Sequence, residues 1–219
     1  MIAEQLISDT IVPLRTSDTG ANALSIMTDF FIRHLPIVNK EELLGLLSED
    51  DVLDHDAAEP VGSYQLSLHH PFVREKDHLY DVLRLIAEHQ LTVIPVIDSQ
   101  RKYIGLITLE DLVRHLVELG AFKEPGGIVV LEMGRQDYSL AEIARIVESE
   151  NAVILSCQVQ SDPESSRIDV TIKINRQNIQ SILATFERFN YQVKASFNEA
   201  EYFDTLRERY DGLMTYLNV

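Results

Sequence analysis

The 219-residue sequence predicts a mixed chain, α/β in its first half and α+β in its second, built in three parts. A tandem pair of β-α-β-β-α units spans about residues 1–121, a ferredoxin-like βαββαβ domain spans 126–198, and an amphipathic helix spans 199–219. Three observations carry this prediction. One apolar stretch around a glycine occurs twice, about sixty residues apart. A run rich in breakers, Gly120-Ala-Phe-Lys-Glu-Pro-Gly-Gly127, stops the periodic pattern behind the second copy. Beyond it, Ile168, Val170, Ile172 and Ile174 alternate without a fault, which is the period of a half-buried strand.

The duplication is visible by subtraction. Residues 43–51 read Leu-Leu-Gly-Leu-Leu-Ser-Glu-Asp-Asp, and residues 103–111 read Tyr-Ile-Gly-Leu-Ile-Thr-Leu-Glu-Asp. Asp18 and Asp77 lie 59 apart, as do Leu24 and Leu83, and Pro36 and Pro95. After the prolines the second copy gains one residue, so Gly45 and Gly105, and Asp51 and Asp111, lie 60 apart. Matching residues in matching order indicate a duplicated supersecondary unit, with copies at about 1–58 and 66–121.

Each copy reads the same way. Leu24, Met27 and Phe31 recur at helical spacing in the first, and Leu79, Val82, Leu83 and Ile86 in the second. Short strands follow over residues 35–38 and 94–97. Pro36 and Pro95 lack an N–H, so they belong where no ladder donor is needed, leaving neighbouring backbone groups to meet a ligand. A turn and a second strand lead to Ser48 or Thr108, a good N-cap whose following acid suits the positive end of a helix. In the closing helix of the second copy, Leu109, Leu112, Val113, Leu116 and Val117 are expected to line one face.

The strand-proline element and Gly-hydrophobic-hydrophobic-Ser/Thr-x-x-Asp, doubled in tandem, resemble the cystathionine-β-synthase (CBS) domain pair, also called a Bateman module. The resemblance implies two clefts for adenosine-containing ligands. It would give Ser48 with Asp51, and Thr108 with Asp111, to ribose hydroxyls. Backbone beside His34–Pro36 and Thr92–Pro95, Ile94 included, would meet adenine edges. A carboxylate accepts two hydroxyl hydrogen bonds, and a helix N-terminus tolerates phosphate, so the chemistry agrees. Arg15 and Arg74, 59 apart and just ahead of each first helix, are candidates for a phosphate or else solvated strand-end arginines. The acidic run Asp50 to Asp56 is a solvated helix end or, as an alternative, holds a hard cation. Its charge disfavours a bare triphosphate at the first cleft and makes Thr92, Thr108 and Asp111 the better site.

Past the breaker run, Ser139 with Glu142 forms a capping box ahead of Leu140, Ile143, Ala144 and Val147. Val153, Leu155, Cys157 and Val159 alternate, so the lone cysteine is expected to face a core. This part resembles an ACT domain, which implies dimerisation and, in many members, amino-acid binding at the first strand–helix junction. The usual Pro-Gly is absent there, and Gln136-Asp137-Tyr138-Ser139 stands in its place, so a structural role remains open beside amino-acid binding. The layout resembles regulatory proteins of the acetoin-utilisation type. In the tail, Phe203, Leu206, Tyr210, Leu213 and Leu217 step by three and four, a seam for its own domain or a partner subunit.

Charge and composition narrow the function classes. A net charge of −16 opposes binding to nucleic acid and to anionic membrane surfaces. No apolar run reaches eighteen residues, and one cysteine excludes an internal disulfide or a Cys-rich metal site, so a cytoplasmic protein without a metal or resident cofactor is expected. No Gly-x-x-x-x-Gly-Lys-Ser/Thr, Gly-x-Gly-x-x-Gly, His-x-x-x-His or Cys-x-x-Cys occurs, which argues against an enzyme. The resemblance implies a regulatory homodimer sensing AMP, ADP, ATP or S-adenosylmethionine and relaying it to a target protein. The alternative is a docking scaffold whose clefts are plugged, with Arg15, His34 or Tyr64 as the plugs.

Overall fold

The computed structural model describes residues 1–64, 70–118, 120–161, 165–198 and 216. The seam residues of the expected tail helix lie outside the described residues. The chain divides into two compact units, Met1–Leu116 and Val117–Val219.

In the first unit each repeat follows the expected β-α-β-β-α order. The first contains α1 (Gly20–Asp29), the hairpin β1 (His34–Asn39) and β2 (Glu42–Ser48), and α2 (Glu49–Leu53). Its opening strand is reduced to Leu14, which bridges Ile37 in parallel. Leu14 donates its N–H to the Pro36 carbonyl at 2.8 Å, and Val38 donates to the Leu14 carbonyl at 2.8 Å. The Pro36 carbonyl points to the opening segment, so its nitrogen lies off the β1–β2 ladder, which needs no donor there. The second repeat contains β3 (Val73–Arg74), α3 (Leu79–Glu88), β4 (Val93–Ile97), β5 (Tyr103–Thr108) and α4 (Leu109–Glu118), with sheet order β3-β4-β5.

The two repeats share their interior. Val93 and Leu106 of the second pack in the cluster of the first, around Leu14, Leu35 and Leu47. Leu46 of the first packs in the cluster of the second, around Val82, Ile94 and Ile107. The N-terminal residues, expected with the first repeat, lie against the second: Ala3 donates to the Asp77 carbonyl at 2.9 Å, and Ser8 to that of Leu106 at 2.8 Å. This contact explains one repeat glycine. A Cβ at Gly105 would stand 2.4 Å from Ile7 Cγ2, so only glycine lets the N-terminal segment close over β5. The hairpin tips also meet, since Tyr103 donates its N–H to the Glu41 carbonyl at 2.7 Å and Lys102 Nζ lies 2.6 Å from the Glu41 carboxylate.

The apolar face of helix α4 is only partly covered. Leu112 is fully buried and Leu116 packs beside the core, but Leu109, Val113 and Val117 are 41, 51 and 48% exposed. The apolar stripe is wider than the face that one core covers, so periodicity alone overstates burial.

The second unit contains α5 (Gly120–Lys123), β6 (Gly127–Gly134), α6 (Leu140–Ser149), β7 (Ile154–Ser161), β8 (Arg167–Ile174), α7 (Gln180–Arg188) and β9 (Gln192–Phe197). Gly120 therefore opens a short helix in the breaker run. Sheet order is β7-β8-β6-β9 with every pair antiparallel, the ferredoxin-like arrangement. Val129, Leu131, Val170, Ile172, Ile143, Ile182 and Phe186 form its core. Strand β7 lies at the sheet edge and only partly follows its alternation. Cys157 is half-buried against the core, while Val153 and Val159 are exposed. A bulge between Ile154 and Ser156 resets which side chains point inward.

Candidate functional site

The site is built where a strand of one repeat gives way to a helix. Thr108 ends β5, and its hydroxyl accepts the Asp111 N–H at 3.0 Å while donating to Asp111 Oδ2 at 2.9 Å. The hydroxyl thus serves as the N-cap of α4 and holds the carboxylate in one rotamer. The other carboxylate oxygen, Oδ1, accepts from Arg114 at 2.9 Å, and Arg114 also donates to Glu110 at 2.7 Å. These groups wall a cleft of about 580 Å³. The hydroxyls of Thr10, Thr92 and Thr108 provide its other polar side chains, and Ile11, Phe30, Phe31, Ile32, Leu109 and Val113 make it apolar. Among the described lining residues, two carboxylates against one guanidinium leave the cleft net negative.

Thr92 also joins the repeats. Its hydroxyl accepts the Arg33 N–H at 2.8 Å and lies 3.0 Å from His34 Nδ1, which in turn accepts the Thr92 N–H at 3.3 Å. Burial lowers the His34 pKa below its ordinary value, the Arg33 charge adds to the effect, and Asp51 and Asp50 oppose it. A neutral ring with Nδ1 as acceptor fits these contacts.

Of the residues expected to hold a ligand, Thr92, Thr108 and Asp111 line this cleft together. Ile94 is fully buried in the core and Pro95 pairs with Leu106 in the β4–β5 ladder, so neither lines it. Pro36 likewise pairs with Leu46 in the β1–β2 ladder. Arg15 lines a separate cavity of about 540 Å³ with Pro13, Val38 and Lys40. The Arg15 and Arg74 backbone N–H groups donate to Asp18 and Asp77 at 2.7 Å, so the equivalence of the two arginines marks a repeated turn. Tyr64 packs in the first-repeat core, donates to the Asp56 carbonyl at 3.0 Å and stacks on His55.

In the first repeat, Ser48 and Asp51 close a full capping box. Ser48 donates its hydroxyl to Asp51 Oδ2 at 2.6 Å and its N–H at 2.8 Å, and it accepts the Asp51 N–H at 3.1 Å. The position equivalent to Thr92 is Arg33, 59 residues earlier. Its guanidinium lies 3.0 Å from Glu49 and 3.6 Å from Asp50. Where the second repeat presents a hydroxyl, the first presents a guanidinium bound to its own helix. In the acidic run, His55 Nδ1 sits 2.7 Å from the Asp51 carbonyl. Among the described residues, no group of three or more His, Cys, Asp or Glu is placed to hold a metal ion.

Sequence reasoning missed Thr10, Phe30, Phe31 and Arg114 in the cleft, and Arg33 beside Thr92. In the second unit, the β6–α6 junction borders a cavity of about 380 Å³ lined by Gly134, Asp137, Glu142, Arg167 and Tyr191. Arg167 is committed to Glu132 at 2.7 Å, and Tyr191 donates to Glu142 at 3.1 Å. Burial, then that hydrogen bond, pushes the Tyr191 hydroxyl up to about 12. Gly134 supplies a glycine at this junction that the search for Pro-Gly passed over.

The fold and the two capped hydroxyl–carboxylate pairs define a class: a protein built on a tandem duplicate of one β-α-β-β-α module. The model of the CBS domain matches residues 3–58 and 63–118, together more than half of the sequence, and the chain belongs to the CBS domain family. Among curated proteins it is similar to inosine-5'-monophosphate dehydrogenase of Methanocaldococcus jannaschii, 22% identical over 159 residues that cover 71% of this chain and 32% of the relative. It is also similar to the same enzyme of Aquifex aeolicus, 27% identical over 139 residues, covering 61% and 28%. The chain thus spans about a third of the length of these relatives. Among solved structures it is similar to a CBS domain pair/ACT domain protein of Thermotoga maritima, with 25% identity, coverage of 54% of this chain and 98% of that one, and a TM-score of 0.48. CBSX2 in complex with AMP gives 22% identity, the same coverages and the same TM-score. Among the described residues no helix is long and apolar enough to cross a membrane.

Proposed function

We propose that this chain is a non-catalytic, cytoplasmic regulatory protein that senses an adenosine-containing ligand in the Thr92–Thr108–Asp111 cleft. One observation carries the reading. The Thr108–Asp111 pair and the Thr92 hydroxyl open on one largely apolar cavity of about 580 Å³, within the range of small-molecule sites. The carboxylate matches a ribose diol, and the apolar wall matches a base. AMP, ADP, ATP and S-adenosylmethionine are the candidates, and the net negative wall favours those with least negative charge. The ion pairs of Arg33 with Glu49 and Asp50 support the scaffold reading for the first cleft only, giving one site per chain. Exposed Leu53, Leu109 and Val113, on the equivalent helices of the two repeats, support relay through a homodimer to a target protein.

Isothermal titration of the full chain with the four ligands tests this. Binding of at least one is expected, lost in Thr108→Ala/Asp111→Ala and kept in Ser48→Ala/Asp51→Ala. The reverse pattern would move the site to the first repeat, and no heat with any ligand would reject adenosine sensing.

A further inference from the structure

Four helices, α1, α3, α6 and α7, end in the same closed motif. Ile32, Leu91, Ala152 and Tyr191 donate their N–H to the carbonyls of Met27, Ile86, Val147 and Phe186 at 2.9–3.2 Å. The residue just before each donor must adopt the left-handed conformation: Phe31 at φ +54°, Gln90 at +52°, Asn151 at +55° and Asn190 at +63°. Asparagine tolerates this region, whereas a bulky aromatic is a steric outlier there. Core packing does not explain the phenylalanine. The apolar contact of the motif is made by the next residue, Ile32, which is 7% exposed, while Phe31 is 91% exposed. Phe31 therefore carries backbone strain and an unburied ring together.

Its position supplies a reason. Phe31 lines the same cavity as Thr108 and Asp111. Its equivalent in the other repeat, 59 residues on, is the polar Gln90. We propose that Phe31 is the stacking residue for the ligand's base, held in a strained conformation so that its ring is free to cover a purine in the cleft. An uncharged π-face suits this wall, where Arg114 is already committed to two carboxylates. The proposal rests on the adenosine reading of the cleft and adds to it the means of base recognition.

The chain contains no tryptophan, so Phe31→Trp introduces a single indole at the lip of the site, excited selectively beyond the absorption of the eight tyrosines. Titrating this variant of the chain with AMP should quench that fluorescence, saturating at the Kd that calorimetry gives. Phe31→Asn should raise the Tm of the ligand-free protein yet weaken AMP binding at least about fivefold, the lower end for loss of a base–aromatic stack. Gln90→Asn, the equivalent change, should raise Tm and leave AMP affinity as it was. Unchanged AMP affinity in Phe31→Asn, or no quenching in a Phe31→Trp variant that binds AMP, would overturn the stacking role. A change of oligomeric state in Phe31→Asn with affinity intact would overturn it in favour of a subunit contact. A parent protein that binds none of the four adenosine ligands would instead reject the adenosine reading, and this proposal with it.

Discussion

His34 Nδ1 lies 3.0 Å from the Thr92 hydroxyl, joining two repeats through residues 58 positions apart. The same nitrogen accepts the Thr92 N–H, so the contact requires an unprotonated Nδ1. Burial first, and the Arg33 charge second, lower this histidine below 6.5. Above 6.5 the ring is neutral in folded and unfolded chains alike, and its contribution to stability is complete. As pH falls below 6.5 towards the lowered folded value, the unfolded chain takes up a proton that the folded chain refuses, and stability is lost. Urea midpoints measured from about pH 7 to pH 5 should fall more steeply for the parent than for His34→Gln.

The two N-caps separate stability from binding. Ser48→Ala removes the side-chain half of a capping box, leaving the backbone N–H to Asp51, and should cost about 1 kcal/mol of unfolding free energy while leaving ligand affinity unchanged. Thr108→Ala should cost a similar amount and also lower affinity, because its hydroxyl orients Asp111 in the cleft. Denaturant unfolding and calorimetry on the same samples compare the two.

Ligand charge should order the affinities. Glu110 and Asp111 outweigh Arg114 in the cleft wall, and the whole chain carries −16. Without magnesium, AMP should bind more tightly than ATP at low salt, and the gap should narrow as salt rises to about 0.5 M. A preference for ATP that survives at low salt would contradict this charge balance.

Phe186 is fully buried and meets Tyr191 edge-on at 5.6 Å in the core of the second unit. Phe186→Ala should destabilise that unit by about 3–5 kcal/mol, read as a lowered denaturant midpoint of its transition.

The duplication, the hairpins and the caps at Ser48, Thr108 and Ser139 were legible in the sequence because each depends on local chemistry at fixed spacing. The cleft was legible only where the copies agree. Subtraction finds what two repeats share, but this site is built from positions where they differ: Arg33 against Thr92, and Phe31 against Gln90. Phe31 looked like a core residue at helical spacing, and its left-handed backbone, invisible to periodicity, turned it outward. Cys157 and Val113 show the same limit. A period states which residues share a face, not how much of that face the rest of the chain covers.

The β1–β2 hairpin is fastened to the other repeat at both its ends, by His34 with Thr92 at one and by Glu41 with Lys102 and Tyr103 at the other. A body pinned at two points does not gape like a jaw. Thr92 belongs both to one of these fastenings and to the wall of the cleft. A molecule filling the cleft would therefore press on a joint between the repeats rather than on a free lip.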